Sequence, residues 1–275
     1  MKFAICQELY ENVPWSDQCR RIAAAGYAGI EVAPFTISDD LASVPDTVYR
    51  QMRSDAEAAG LQIIGLHWLL ARTTGLHLTS PEADVRRRTA DYLMLLARVC
   101  RQLGGRVLVF GSPQQRNLLP GVTRDQALQY AAEVFQQAMP AFAEHDCELC
   151  LEPLTPRETN FINTCADAVE VIERVGHPAM RLHQDVKAML GGETESIPAL
   201  IRKYHDICGH FHVNDSNLLG PGMGETDYHP IIRALLESGY QGWVSVEVFD
   251  YQPGADHIAN ESMRYMRQVL HDLGH

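Results

Sequence analysis

A chain of 275 residues, 46% hydrophobic and 21% charged, can bury a large core in the manner of an ordinary globular protein. Its net charge of −12 opposes binding to a phosphate backbone, and no apolar run reaches the ~18 residues of a membrane span. The seven cysteines, odd in number and scattered through apolar segments, suit reduced thiols in a cytoplasmic protein rather than a disulfide framework.

In chain order, "KFAICQEL" (2–9) is the first strand-like run, and no signal-peptide pattern precedes it. The helical pattern "DQCRRIAAAGY" follows, with Gly26 as its stop. "YAGIEVAPF" (27–35) is the second strand, and "PDTVYRQMRSDAEAAG" the helix after it, ending at Gly60. "LQIIGLHWLL" (61–70) leads to a long helix that stops at Gly104-Gly105. Thr79 and Glu82 stand at capping-box spacing at its start, with Pro81 in the first turn. The only basic run, Arg86 to Arg88, reads as a solvated face of this helix. "GRVLVFGS" (105–112) precedes a helix opened by a second capping box, Thr123 and Gln126, in which Pro140 is expected to cause a kink or break. "CELCLEPL" (147–154), a helix from Thr164 to Gly176, "MRLHQDV" (180–186), the helix "SIPALIRKYHD", "ICGHFHVND" (207–215), the helix "HPIIRALLESG", "GWVSVEVF" (242–249) and a last helix "ADHIANESMRYMRQVLHDLG" complete the chain.

Most of the eight strands are near-continuous apolar runs, as strands covered on both faces must be. Eight alternating units without a composition break predict an α/β fold: one (β/α)8 TIM barrel forming a single domain over residues 1–275. An open doubly wound sheet would require a glycine-rich turn after the first strand, and "QELYENVPW" has no glycine.

Function in such a barrel is expected at the C-terminal ends of the strands. Side chains alternate along a strand, so Glu148, Cys150 and Glu152 share one face of the fifth strand. Cys147 and Cys150 then point oppositely, and their C-x-x-C spacing does not make a metal grip. Glu148 falls roughly 13 Å below Glu152 at ~3.3 Å per residue, near the other mouth. Glu152, Asp185, His212 and Glu247 end strands five to eight. Three carboxylates and an imidazole at one mouth repel one another unless a divalent cation joins them. The carboxylate-rich set suits Mn²⁺ or Mg²⁺, with Co²⁺ and Zn²⁺ as alternatives. Glu31, His67 and Trp68 are further candidates for the pocket wall. Trp15 and Phe110 could also line it, although bulky aromatics there more often pack.

"LEPLTPRETNF", "HQDVKAM", "HFHVNDSN" followed by "GPGMGETDY", and "GWVSVEVF" together resemble the xylose isomerase-like barrel superfamily, and within it the D-tagatose 3-epimerase type. The resemblance spans nearly the whole chain and lies in the ordered set rather than in any one motif. It implies an isomerase acting on a small-molecule sugar. Glu152, Asp185, His212 and Glu247 would be metal ligands, Glu152 and Glu247 the acid–base pair, and Glu158 a substrate contact. It also implies an enediolate intermediate, stabilised by a divalent metal on the ketone oxygen and the neighbouring hydroxyl. Two positions depart from the 3-epimerase pattern. Ala188 stands for a histidine and Leu218 for an arginine, both of which hold substrate oxygens in that family; Lys187 or Asn217 could take their place. The same inventory would serve a metal-dependent lyase or deglycosidase acting on an oxidised sugar, or a barrel that only binds a sugar. An endonuclease IV-type hydrolase requires further histidines that Ala188 and "LVFGSP" do not supply. A free sugar is expected rather than a phosphate, because no basic residue lies between Asn214 and Arg233, although the loop "NLLGPGMGETD" could offer backbone N–H groups. Barrels of this kind often pair through surface helices, so a homodimer or homotetramer is the expected assembly.

Overall fold

The computed structural model describes residues 1–275. Eight parallel strands close a barrel in sequence order: β1 (Lys2–Cys6), β2 (Gly29–Val32), β3 (Gln62–Leu66), β4 (Val107–Phe110), β5 (Glu148–Leu151), β6 (Met180–Asp185), β7 (Cys208–Val213) and β8 (Trp243–Val246). The ring closes where Lys2 pairs with Trp243 and Ile5 with Val246. Around it run α1 (Trp15–Ala24), α2 (Asp46–Ala58), α3 (Ala83–Leu103), α4 (Arg124–Glu144), α5 (Cys165–Val175), α6 (Val186–Gly192), α7 (Ile197–Tyr204), α8 (His229–Glu237) and α9 (Ala255–Asp272). The strands are shorter than the apolar runs that announce them, because the last polar residues of each run belong to the loops of the C-terminal mouth.

Aliphatic side chains from strands and helices, such as Ile5, Ile30, Leu66, Leu149, Phe211 and Val244, make one continuous buried shell. Phe110 packs edge-on against Phe135 at 5.3 Å, and the Trp15 indole donates to the Met52 carbonyl at 2.9 Å. Both aromatics therefore serve packing rather than the mouth. All seven cysteines are buried and unbridged. No helix is long and apolar enough to cross a membrane.

The capping box at Thr123 and Gln126 forms as expected, and Thr164 makes another with Asp167. The one expected at Thr79 and Glu82 does not form. Glu82 itself is the cap residue, without a side-chain bond. Thr79 instead donates its hydroxyl to the Asn117 carbonyl at 2.7 Å, tying the loop before α3 to the loop after β4. Pro140 does not interrupt α4. Pro140 and Gln136, four residues before it, are both exposed, so the carbonyl freed by the missing N–H faces water. The arginine run is not a free basic face: Arg86 pairs with Glu133 at 3.0 Å and lies over the Tyr130 ring, and Arg87 pairs with Asp84 at 2.8 Å. The short helix α6 has no counterpart in the sequence reading; Asp185 caps it, its Oδ1 accepting from the Ala188 N–H at 2.7 Å.

Candidate active site

Strand alternation sends a column of polar side chains up the barrel interior. Glu31, His183, His210, His212, Ser245 and Asp185 are essentially sealed from solvent, at no more than 1% exposure. Such groups must be paired or must bind something. Glu31 accounts for two of them: its carboxylate lies 3.0 Å from His210 Nε2 and 3.1 Å from His212 Nε2. That contact fixes the His212 ring and leaves its Nδ1 on the side of Glu247, whose Oε2 is 3.2 Å away. A carboxylate behind a histidine is the usual way to aim the other ring nitrogen at a metal.

Glu247 lies just past β8, buried and held by three donors. The Trp68 indole N–H donates to its Oε1 at 2.8 Å, and His67 Nδ1 lies 3.2 Å from the same oxygen. On its far side, His67 places Nε2 2.9 Å from the buried carboxylate of Glu8. That approach is not an aligned hydrogen bond, for His67 Nε2 and both Glu8 oxygens lack a hydrogen-bond partner. Burial works against ionisation of Glu247, but His212 and His67 outweigh it and hold its carboxyl well below the usual range.

Glu152 follows β5 and enters the cavity from another side, since β5 and β8 stand three strands apart around the ring. Its carboxylate lies over Gly111, so closely that a Cβ there would sit 1.9 Å from Oε2. The Arg116 guanidinium, entirely buried, donates to the Glu152 backbone carbonyl at 2.6 Å. Burial and repulsion from Glu247 and Asp185 push the Glu152 carboxyl well above its ordinary range. Asp185 is pushed up to about 6 by burial, with Lys187 opposing and Glu247 adding to the shift. Asn214 donates to Asp185 Oδ2 at 2.6 Å.

Of the four residues expected to share a cation, Glu152, Asp185 and His212 offer donor atoms within 4.8 Å of one another, and His183 joins them. Glu247 belongs with Cys6 and His67 in a neighbouring group, touching the first through His212. His183 has no hydrogen-bond partner on either ring nitrogen. Burial and the neighbouring His212 and His210 hold it well below its ordinary range, as a neutral imidazole. Mutually repelling carboxylates beside an imidazole with free nitrogens make a donor set that fits a divalent cation.

At the rim, the Lys187 ammonium bonds Glu158 Oε1 at 2.7 Å and lies 3.9 Å over the Phe249 ring. Thr155 donates its hydroxyl and its N–H to Glu158 Oε2. Lys187, Glu158, His67, Trp68, Glu152 and Glu247 all line one cavity of about 430 Å³. Asn217 does not join them; its amide turns back to the Met223 carbonyl at 2.9 Å. Ala188 is a buried residue of α6 itself, and Leu218 is exposed on its loop. In the glycine-rich loop after β7, Asp215 accepts from the N–H groups of Ser216 and Thr226 and from the Thr226 hydroxyl. Gly224 leaves the room that this carboxylate occupies.

The family described as xylose isomerase-like TIM barrel matches residues 19–269. A probable ketose 3-epimerase of Synechocystis sp. is 26% identical over 266 residues, covering 89% of this chain and 87% of that protein. A fructoselysine 3-epimerase of Escherichia coli O157:H7 is 23% identical over 273 residues, covering 95% and 93%. The crystal structure of a D-psicose 3-epimerase in the presence of D-fructose superposes with a TM-score of 0.86 over 98% of this chain and 99% of the other; at 22% identity it speaks for the fold alone.

Proposed function

The chain belongs to the xylose isomerase-like TIM barrel family, and on that premise we propose that it is a divalent-metal-dependent isomerase or epimerase of a ketose or keto-sugar. One observation carries the reading. β5 and β8 each deliver a glutamate, Glu152 and Glu247, into one cavity from different sides, with Asp185 and His212 on the strands between them. Binding a sugar does not require two such carboxylates; moving a proton between the two faces of a carbon does.

Glu152, Asp185, His212 and Glu247 would hold the ion, with His183 in reach beside Glu152. The oxygen-rich set suits Mn²⁺ or Mg²⁺, and its imidazoles admit Co²⁺ or Zn²⁺. When bound, the ion supplies electrophilic polarisation of a ketone and the hydroxyl beside it. One glutamate removes the proton from the hydroxyl-bearing carbon next to the carbonyl, leaving an enediolate. The other returns a proton to the opposite face, which inverts the carbon. Delivery of that proton to the former carbonyl carbon moves the ketone along the chain instead, and the same chemistry on a terminal C1–C2 pair is aldose–ketose isomerisation. Trp68 and His67 fix the Glu247 carboxylate against the substrate, and Lys187 with Glu158 can hold substrate oxygens at the rim. Neutral sugars fit this pocket better than phosphates. The two side-chain cations that line it are already paired, Lys187 with Glu158 and Arg72 with Glu11.

The test is solvent exchange. The Mn²⁺-loaded protein is incubated in D₂O with free ketoses, keto-sugars and sugar phosphates. Deuterium should enter one carbon next to the carbonyl, and Glu152→Gln and Glu247→Gln should each abolish that entry. Exchange retained in both variants, or full activity after metal removal, removes the two-glutamate mechanism. A product of lower mass would identify elimination in place of epimerisation.

A further inference from the structure

The cation ligands that the family resemblance implies include one imidazole, His212. The donors that the barrel gathers include two. Glu152, Asp185, His183 and His212 each offer an atom within 4.8 Å of the others. Two ligands on opposite sides of one ion, each at ~2.1 Å, lie about 4.2 Å apart, so small movements let all four share one ion. Three of the four rest on fixed supports. Asp185 is held by the Ala188 N–H and the Asn214 amide. The Glu152 carboxylate lies over Gly111, and His212 is braced by Glu31. His183 is held by packing: its ring is 4.2 Å from that of His212, edge to face, and 5.4 Å from that of His210.

His183 differs from its neighbours in that nothing uses its nitrogens. The side chain is 0% exposed, and neither Nδ1 nor Nε2 has a hydrogen-bond partner. The groups around it are engaged. His210 and His212 both reach Glu31 through Nε2, and His212 Nδ1 faces Glu247 Oε2. Glu247 receives Trp68 and His67 on its other oxygen. A ring used for packing alone would bury two polar atoms at a cost that a leucine avoids. The position is also particular to this strand. The histidine expected three residues after Asp185 is replaced by Ala188, and the imidazole stands two residues before Asp185 instead.

The kind of donor decides which ion gains. Carboxylates suit Mg²⁺ and Mn²⁺, whereas imidazole suits Co²⁺, Ni²⁺ and Zn²⁺. We propose that His183 is a direct ligand of the ion, beside Glu152, Asp185 and His212, and that this second imidazole supplies most of the site's selectivity for late transition ions over Mg²⁺.

The inference rests on the metal dependence proposed above, and one set of measurements separates the two. Metal-free protein carrying isotopically labelled histidine is loaded with Mn²⁺, and electron spin-echo modulation counts the imidazoles coupled to the ion. The native protein should show two, and His183→Leu and His183→Gln one each. Competition of Co²⁺ and Mg²⁺ against a chelating dye gives the affinities. Removing a group that merely orients a ligand costs about 10–100-fold, so loss of the ligand itself in His183→Leu should weaken Co²⁺ by more than about 100-fold. Mg²⁺ should change by less than about fivefold. Melting temperatures of the metal-free variants check the fold. If neither variant folds, the count in the native protein decides, because His183 and His212 are the imidazoles brought within reach of Glu152 and Asp185. One coupled imidazole in the native protein, or a Co²⁺ affinity that falls no more than that for Mg²⁺, overturns the role of His183 and leaves the proposed reaction standing. Two coupled imidazoles without deuterium exchange on any ketose keeps the ligand and overturns the reaction. Failure to bind either Mn²⁺ or Co²⁺ overturns both.

Discussion

β5 carries two glutamates on one face, four residues apart, and the barrel treats them oppositely. Glu148 opens the strand at the N-terminal mouth, exposed, in a shallow pocket shared with Arg181, Gly209 and Tyr240. Arg181 there looks away, donating to the Asp206 carbonyl at 2.8 Å. Glu152 follows the strand at the C-terminal mouth with 5% of its surface exposed, among Asp185, Glu247 and His212. Residue type, strand and facing direction are the same. What differs is which end of the strand meets the ring of other polar side chains, and therefore whether the charge can be left to water. The two mouths of one barrel thus separate stability from chemistry, and substitutions on this axis should separate in the same way.

The sharpest separation is expected at Gly111, at the C-terminal end. A Cβ there meets only the far end of the Glu152 side chain, 1.9 Å from Oε2, and not the backbone. Gly111→Ala should therefore leave folding almost unchanged while pushing the carboxylate off its position. Misplacement of a catalytic group by about 1 Å costs on the order of 100-fold, and that loss should appear in kcat of the Mn²⁺-loaded enzyme. A variant with a normal melting temperature and native kcat would show that the Glu152 position is not critical.

Deeper in the barrel, Glu31, a candidate for the pocket wall, is sealed and does not line the cavity. It holds His212 Nε2 at 3.1 Å and His210 Nε2 at 3.0 Å. Groups that orient a metal-bound histidine change metal affinity by about 10–100-fold when removed. Glu31→Gln preserves the shape and removes the charge, so Mn²⁺ titration should show weakening in that range, with kcat recovering at saturating Mn²⁺. Unaltered affinity would make Glu31 a buried ion-pair partner and nothing more.

The closed barrel was legible because buried parallel strands and amphipathic helices write different periods into the chain. Glu152, Asp185, His212 and Glu247 were legible because each closes a strand-like run. His183 is readable by the same rule: it stands two residues before Asp185 on the same strand, so alternation alone puts both on one face. Glu8 gives a fainter sign. It keeps the parity of Cys6 past the end of β1, but a short 3-10 turn from Glu8 to Tyr10 intervenes, where the strand rule no longer applies. Arg116 leaves no sign at all, because a loop residue has no periodicity, and its burial against the Glu152 carbonyl exists only after β4 and β5 are neighbours. The Thr79 box failed for the same reason: its hydroxyl found Asn117, a partner 38 residues away, before the local one.

The smallest expected effect is at the other end of β5. Glu148 has every feature that made Glu152 a candidate except its height. If membership of the strand face made an acid functional, Glu148→Gln should reduce exchange measurably. If the closing ring of polar groups does so, the substitution changes an exposed side chain with no charged hydrogen-bond partner at its mouth. Such changes are usually within about 0.5 kcal/mol of neutral, a shift of one to two degrees in Tm for a barrel of this size, and the deuterium exchange rate should stay within about twofold of native, a factor worth ~0.4 kcal/mol. A loss as large as that of Gly111→Ala would mean that an acid at the N-terminal mouth matters to the chemistry at the other, and that position along the strand does not separate the two glutamates.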